Sequence, residues 1–143
     1  MKFKRTLPYI LLGVIFVTVL SACGSSSSTV DVALKTYDIV PSTSSVSAGE
    51  VTFQVHNDAT DLTHEFVVFK TDLPEGDLPL TDEGIVDEEA DGITLIDEVE
   101  DVEPGMSAEL TVTLEPGNYV LVCNIDSDEM HYQHGMHAVF IVK

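Results

Sequence analysis

The sequence predicts an all-β protein, an antiparallel β-sandwich of about seven strands with an irregular or short helical excursion. Three observations carry this. Short apolar runs alternate with a period of two, turn-forming residues separate them, and helical periodicity is almost absent from the part that would fold. A chain of 143 residues suits one domain and is short for two.

At the N-terminus, Lys2, Lys4 and Arg5 form a basic start, and residues 11–20 form an apolar run. Leu20-Ser21-Ala22-Cys23 follows, small residues leading into a cysteine. Residues 1–22 therefore have the shape of a secretory signal. The tetrapeptide resembles a bacterial lipobox, which implies cleavage before Cys23 and a lipid on that cysteine. The apolar run is short for a membrane-spanning helix. The expected location is extracytoplasmic, on the periplasmic or outer-surface side of a cell membrane. Residues 23–29, with their run of serines, read as a flexible lipid-anchored tether.

The folded domain is expected over residues 30–143. Val30, Val32 and Leu34 alternate with polar neighbours, as do Val51, Phe53 and Val55 after a Ser-rich turn at residues 42–49. Residues 65–69 are continuously apolar-rich and read as a buried strand. Residues 72–102 hold most of the acid and have weak periodicity; over 84–102 the alternatives are a short helix or an irregular crossing of the sandwich edge. Ala108, Leu110, Val112 and Leu114 restore the alternation, and Glu115-Pro116-Gly117-Asn118 makes a turn. Two further strands, 118–123 and 137–142, flank the stretch with the most chemistry.

That stretch places Cys123, His131, His134 and Met136 within one loop between strands. A soft thiolate and thioether with borderline imidazoles suit copper, especially a site that must hold both Cu(I) and Cu(II). Such a site wants two imidazoles and a thiolate in a plane, with a weak axial Met. The loop supplies the Cys, one His and the Met; His64, at the start of the 65–69 strand, offers the second imidazole. The residues thus point to a blue-copper electron-transfer site. Cysteine usage agrees. With Cys23 taken by the anchor, Cys123 has no disulfide partner, and a lone thiol outside the cytoplasm needs burial or a metal.

All 25 acidic residues lie beyond Cys23, against Lys35, Lys70 and Lys143, leaving a charge near −22 after the signal. Such a field disfavours nucleic acid and steers in basic proteins at low salt. Adaptation to high salt would produce the same composition.

Gly117-Asn118-Tyr119-Val120-Leu121-Val122-Cys123, His131-Tyr132-Gln133-His134-Gly135-Met136 and Thr63-His64-Glu65-Phe66-Val67-Val68 together resemble the cupredoxins, the small blue-copper fold of plastocyanin, azurin and halocyanin. The resemblance implies a Greek-key sandwich with one type 1 copper at one end. His64, Cys123, His131 and Met136 match the family's ligands. Two departures stand out: the Cys-to-His interval, Asn124 to Met130, is longer than in many relatives, and Glu65 follows the first ligand where an Asn often pins the loop. His131 is then the ligand expected nearest solvent and the exit for the electron, with Met130, Tyr132 and Met136 as an apolar collar. His56, His134 and His137 read as surface positions, with His134 the one substitute ligand. The partner implied is a redox protein with a basic docking surface, such as a cytochrome or an oxidase domain. No nucleophile or general-base arrangement is apparent, so an enzyme is not expected. The alternatives are a copper chaperone or storage protein that supplies an oxidase, and a structural sandwich with a vestigial site.

Overall fold

A computed structural model describes residues 26–143. The signal at 1–22 and the anchor at Cys23 lie outside the described residues. Nine strands form two sheets: β1 Ser26–Lys35, β2 Asp38–Pro41, β3 Ser45–Val46, β4 Gly49–Asn57, β5 His64–Thr71, β6 Ile93–Val102, β7 Ser107–Leu114, β8 Gly117–Val122 and β9 His137–Val142. One sheet has the order β2-β1-β4-β7 and the other β3-β9-β8-β5-β6. Among the described residues no helix is long and apolar enough to cross a membrane.

The period-two segments are strands, and their apolar members face inward. Val30, Val32 and Leu34 of β1 meet Val51, Phe53 and Val55 of β4 and Leu110, Val112 and Leu114 of β7. Across the sandwich they pack on Phe66, Leu121, Phe140 and Val142. Phe53 is central, with ring centroids 5.3 Å from Phe66 and 5.4 Å from Phe140. Burying each such side chain contributes roughly 1.5–3 kcal/mol.

Four expectations need correction. The sheets are not wholly antiparallel: β1 runs parallel to β4 and β3 parallel to β9, because the β2–β3 segment crosses between sheets before β4 returns beside β1. Among the described residues the strand count is nine, and one of the additional strands, β3, lies inside the Ser-rich stretch read as a turn. The serine run is not all tether, since Ser26–Thr29 pair with Gly49–Thr52 as part of β1. Finally, the end of the acidic excursion is neither helical nor irregular. Residues 93–102 are the ten-residue edge strand β6.

The last error has a physical cause. Register shifts between His64 and Phe66 and between Val68 and Phe69 break the β5–β6 ladder. Ile93 and Leu95 therefore pack on one face, while Ile96, Val99 and Val102 pack on the other, and no single period survives. The segment between β5 and β6 remains irregular and lies over the outer face of its sheet. There Leu78 and Val86 cover Val67, Phe69, Val120 and Val122. Two-sided cover explains why β5 reads as a continuous apolar run.

Candidate metal centre

Four side chains of the predicted set reach one end of the sandwich from four points of the chain. His64 is the first residue of β5, at the register shift opposite Val102. A bulge at a strand start re-aims the side chain there. Cys123 directly follows β8, His131 precedes the short 3-10 turn Tyr132–His134, and Met136 directly precedes β9. Gly135, at φ 92°, reverses the chain between turn and strand, a conformation glycine adopts without steric cost.

Three donor atoms converge. His64 Nδ1 lies 3.1 Å from His131 Nδ1 and 3.7 Å from Cys123 Sγ. The His131 Nδ1 to Cys123 Sγ separation is 3.4 Å. Atoms spaced this way can share one first-row ion with bonds of roughly 2.0–2.3 Å. All three residues are buried, and Met136 is completely so. The Met136 backbone ties the centre together: its carbonyl accepts the Cys123 N–H at 3.1 Å, and its N–H donates to the His131 carbonyl at 3.1 Å.

Burial keeps the donor groups uncharged in the metal-free protein. Burial, with His131 nearby, pulls the His64 imidazole down to about 4. Burial also lowers His131, with Glu129 opposing. Both rings are thus neutral at pH 7, with lone pairs available as ligands. His64 Nε2 is buried without a partner. Burial pushes the Cys123 thiol up to about 12, although the N–H groups of Glu65 and Ile125 favour the thiolate. The Glu65 N–H reaches Sγ at 3.3 Å. A metal displaces the thiol proton. The residues therefore fit the metal that their donor chemistry implies.

Surrounding residues hold the ligands, and of these the sequence singled out only Tyr132, as part of an apolar collar rather than as a support. Asn57, fully buried, donates from Nδ2 to the carbonyls of Leu62 and Val102, both at 2.8 Å, and accepts the Ala59 N–H at 2.9 Å. It fixes the loop that delivers His64. Asn124 accepts the Val86 N–H at 2.7 Å and donates back to the Val86 carbonyl at 3.1 Å, tying the residue after Cys123 to the irregular excursion. Tyr132 Oη accepts the Leu78 N–H at 2.8 Å and donates to the Glu75 carbonyl at 2.9 Å. The pin absent at Glu65 is thus supplied by Asn57 and Asn124. A polar residue closing a strand and another following the cysteine were the only sequence signals for them.

His131 is the ligand nearest solvent, as expected, but it is covered rather than open. It is 3 % exposed, and the Tyr37 ring stands edge-on to it at 5.2 Å between centroids. The apolar collar is also displaced, because Tyr132 and Met136 are buried in packing rather than presented to solvent. His134 is exposed, stacked on Tyr37, and outside the converging set. His56 pairs with Ser107 and Asp58, and His137 with Glu75, both away from the centre.

The chain belongs to the cupredoxin-like domain family, whose model matches residues 8–142. No curated protein matches it. Among solved structures it is similar to auracyanin from the photosynthetic bacterium Roseiflexus castenholzii, with 21% identity and a TM-score of 0.58, over 84% of this chain and 99% of that one. Auracyanin A from Chloroflexus aurantiacus, described as a "blue" copper protein, matches at 16% identity and a TM-score of 0.55, over 82% and 100% of the two chains. Rusticyanin from Thiobacillus ferrooxidans matches at 16% identity and a TM-score of 0.56, over 83% and 79%. At these identities the likeness speaks for the fold.

Proposed function

We propose that this chain is a membrane-tethered, extracytoplasmic type 1 copper protein that carries single electrons between redox partners. The observation that carries the reading is the convergence of His64 Nδ1, His131 Nδ1 and Cys123 Sγ within 3.7 Å, all buried. One thiolate and two imidazoles, with Met136 as the weak fourth ligand, form a donor set suited to copper in both oxidation states. When bound, copper supplies the one-electron couple.

The chain's own contribution is rigidity and dryness. His64 and Cys123 sit at the ends of β5 and β8, which pair directly at Val67–Val122 and Val68–Leu121. Side chains fixed on paired strands cannot rearrange freely when the charge of the site changes, so little reorganisation accompanies each electron. The Glu65 N–H at Cys123 Sγ stabilises the thiolate. Burial of all three donors excludes water and also opposes loss of the ion, which favours an electron carrier over a copper carrier.

The oxidised, copper-loaded protein should be intensely blue, and Cys123→Ser should abolish the colour. A colourless loaded protein overturns the assignment. Mixed with a basic cytochrome, the reduced protein should transfer electrons and keep its copper. With a charge near −22, the rate should fall as salt rises, since exposed charges are screened beyond about 10 Å at 0.1 M. Copper passing instead to an apo acceptor, with little electron transfer, identifies a copper carrier. The tether rests on Leu20-Ser21-Ala22-Cys23. Mass spectrometry of the membrane-extracted protein should find a lipid on an N-terminal Cys23, and unmodified Cys23 in processed protein rejects this part of the reading.

A further inference from the structure

The covering of His131 raises the question of how an electron reaches it. Tyr37 occupies the tight turn between β1 and β2, with φ at 57°. That backbone region suits Gly or Asn and is an outlier for a bulky aromatic. The strained turn sets the tyrosine ring against the far loop. Its face stacks on His134 with centroids 4.7 Å apart and planes 26° apart, while His131 meets it at 5.2 Å and 76°. The hydroxyl donates to the Glu129 carboxylate, which fixes the ring from the loop side. His134 is exposed. His131, Tyr37 and His134 therefore form a continuous file of aromatic rings from a buried ligand to the surface. A groove of about 290 Å³ beside it, bordered by Asp61, Leu62, Ile125 and Asp128, also reaches His131 and gives a second approach.

We propose that Tyr37 and His134 are the electron port of this protein. Tyr37 covers His131 on the side away from that groove, and its ring, with His134 outside it, couples the site to a one-electron metalloprotein docked over them. This rests on the electron-carrier reading above. In each passage one electron leaves the site and reduces the haem iron or copper of the acceptor by one. No bond forms or breaks, no proton moves, and Tyr37 stays a neutral phenol. Tyr37 is a positioning and coupling residue and not a ligand.

The test uses the full chain loaded with copper and oxidised by tris(phenanthroline)cobalt(III) at fixed ionic strength, comparing wild type with Tyr37→Phe, Tyr37→Leu and His134→Leu. All should keep the blue spectrum. Phe keeps the ring and should keep the rate. Leu fills the space without a π-system, and at either position it should slow oxidation by about tenfold. A second readout needs no redox chemistry. In the zinc-loaded protein, exchange of the His131 ring N–H with water, followed by NMR, should be slow in wild type and Tyr37→Leu. It should speed up by about tenfold or more in Tyr37→Ala, whose side chain no longer covers the ring. Fast oxidation that is equal in wild type and both Leu variants overturns the port, with the groove as the route, while leaving the carrier reading intact. Sluggish oxidation of wild type itself overturns the carrier reading and the port with it. Rapid N–H exchange in wild type removes the cover.

Discussion

Asn57 offers a sharp test of how the centre is held. Its side chain makes three hydrogen bonds, to the Leu62 and Val102 carbonyls and from the Ala59 N–H, and none of it is exposed. Asn57→Ala removes all three and leaves two carbonyls and an amide without their partner. At ~1 kcal/mol net per bond the loss is ~3 kcal/mol. Half-buried Leu62 can recover a bond to water, whereas buried Val102 and Ala59 cannot, so ~2–4 kcal/mol brackets the cost. For a domain of this size each kcal/mol moves Tm by about 3–5 °C, so Tm should fall by about 10 °C in the metal-free protein. Circular dichroism during heating measures it. The loop from Asp58 to Thr63 should loosen as well, so a chelator should strip metal faster from the loaded variant. Asn57→Asp sharpens the case: its carboxylate would face two carbonyls that now receive N–H donors. It should cost more than alanine at pH 8 and less at pH 5, where the protonated acid can donate once. A drop of under about 2 °C for Asn57→Ala, with metal retention unchanged, would refute the reasoning.

Two further outcomes follow from the site and its surroundings. His131→Ala should disturb the copper spectrum severely, because Nδ1 of His131 lies 3.4 Å from the thiol sulfur, whereas His134→Ala should leave the spectrum nearly unchanged; visible absorption of the loaded variants decides, and the reverse order would exchange the two assignments. Burial and the carboxylates of Glu98, Glu88, Glu100 and Asp101 raise Glu65 to about 7, so its charged form is disfavoured in the folded state. A raised folded pKa contributes stability below the unfolded value that is lost as pH rises through about 7. Glu65→Gln should therefore stabilise the metal-free protein at pH 8 by ~1–2 kcal/mol, after a discount for partial exposure, and by almost nothing at pH 4. Urea unfolding at the two pH values checks this, and an equal effect at both would count against it.

By itself, the sequence determined whatever depends on side-chain alternation and donor chemistry. Val30, Val32 and Leu34, or Leu110, Val112 and Leu114, reveal a half-buried strand locally, because a sheet puts every second residue on the core face. Cys123, His131 and Met136 lie close along the chain, with an unusual mixture of soft and borderline donors, so the metal chemistry was legible before any fold. His64 was legible only through its resemblance to a family pattern, since one histidine at a strand start carries little meaning alone.

The tertiary structure decided what depends on partners distant in sequence. The β6 strand was hidden because bulges against β5 shift its inward face partway along, and a bulge is a property of the pair. The parallel placement of β1 beside β4 has no local signature either. Asn57 and Asn124 became visible as supports only when Leu62, Val102 and Val86 came within hydrogen-bonding distance. The cover over His131 comes from Tyr37, almost a hundred residues earlier, delivered by a turn that no pattern in the ligand loop foretells. Ligand identity was local chemistry and could be read from the residues. Ligand exposure depends on which distant side chain lies on top, and only the packed chain fixes that.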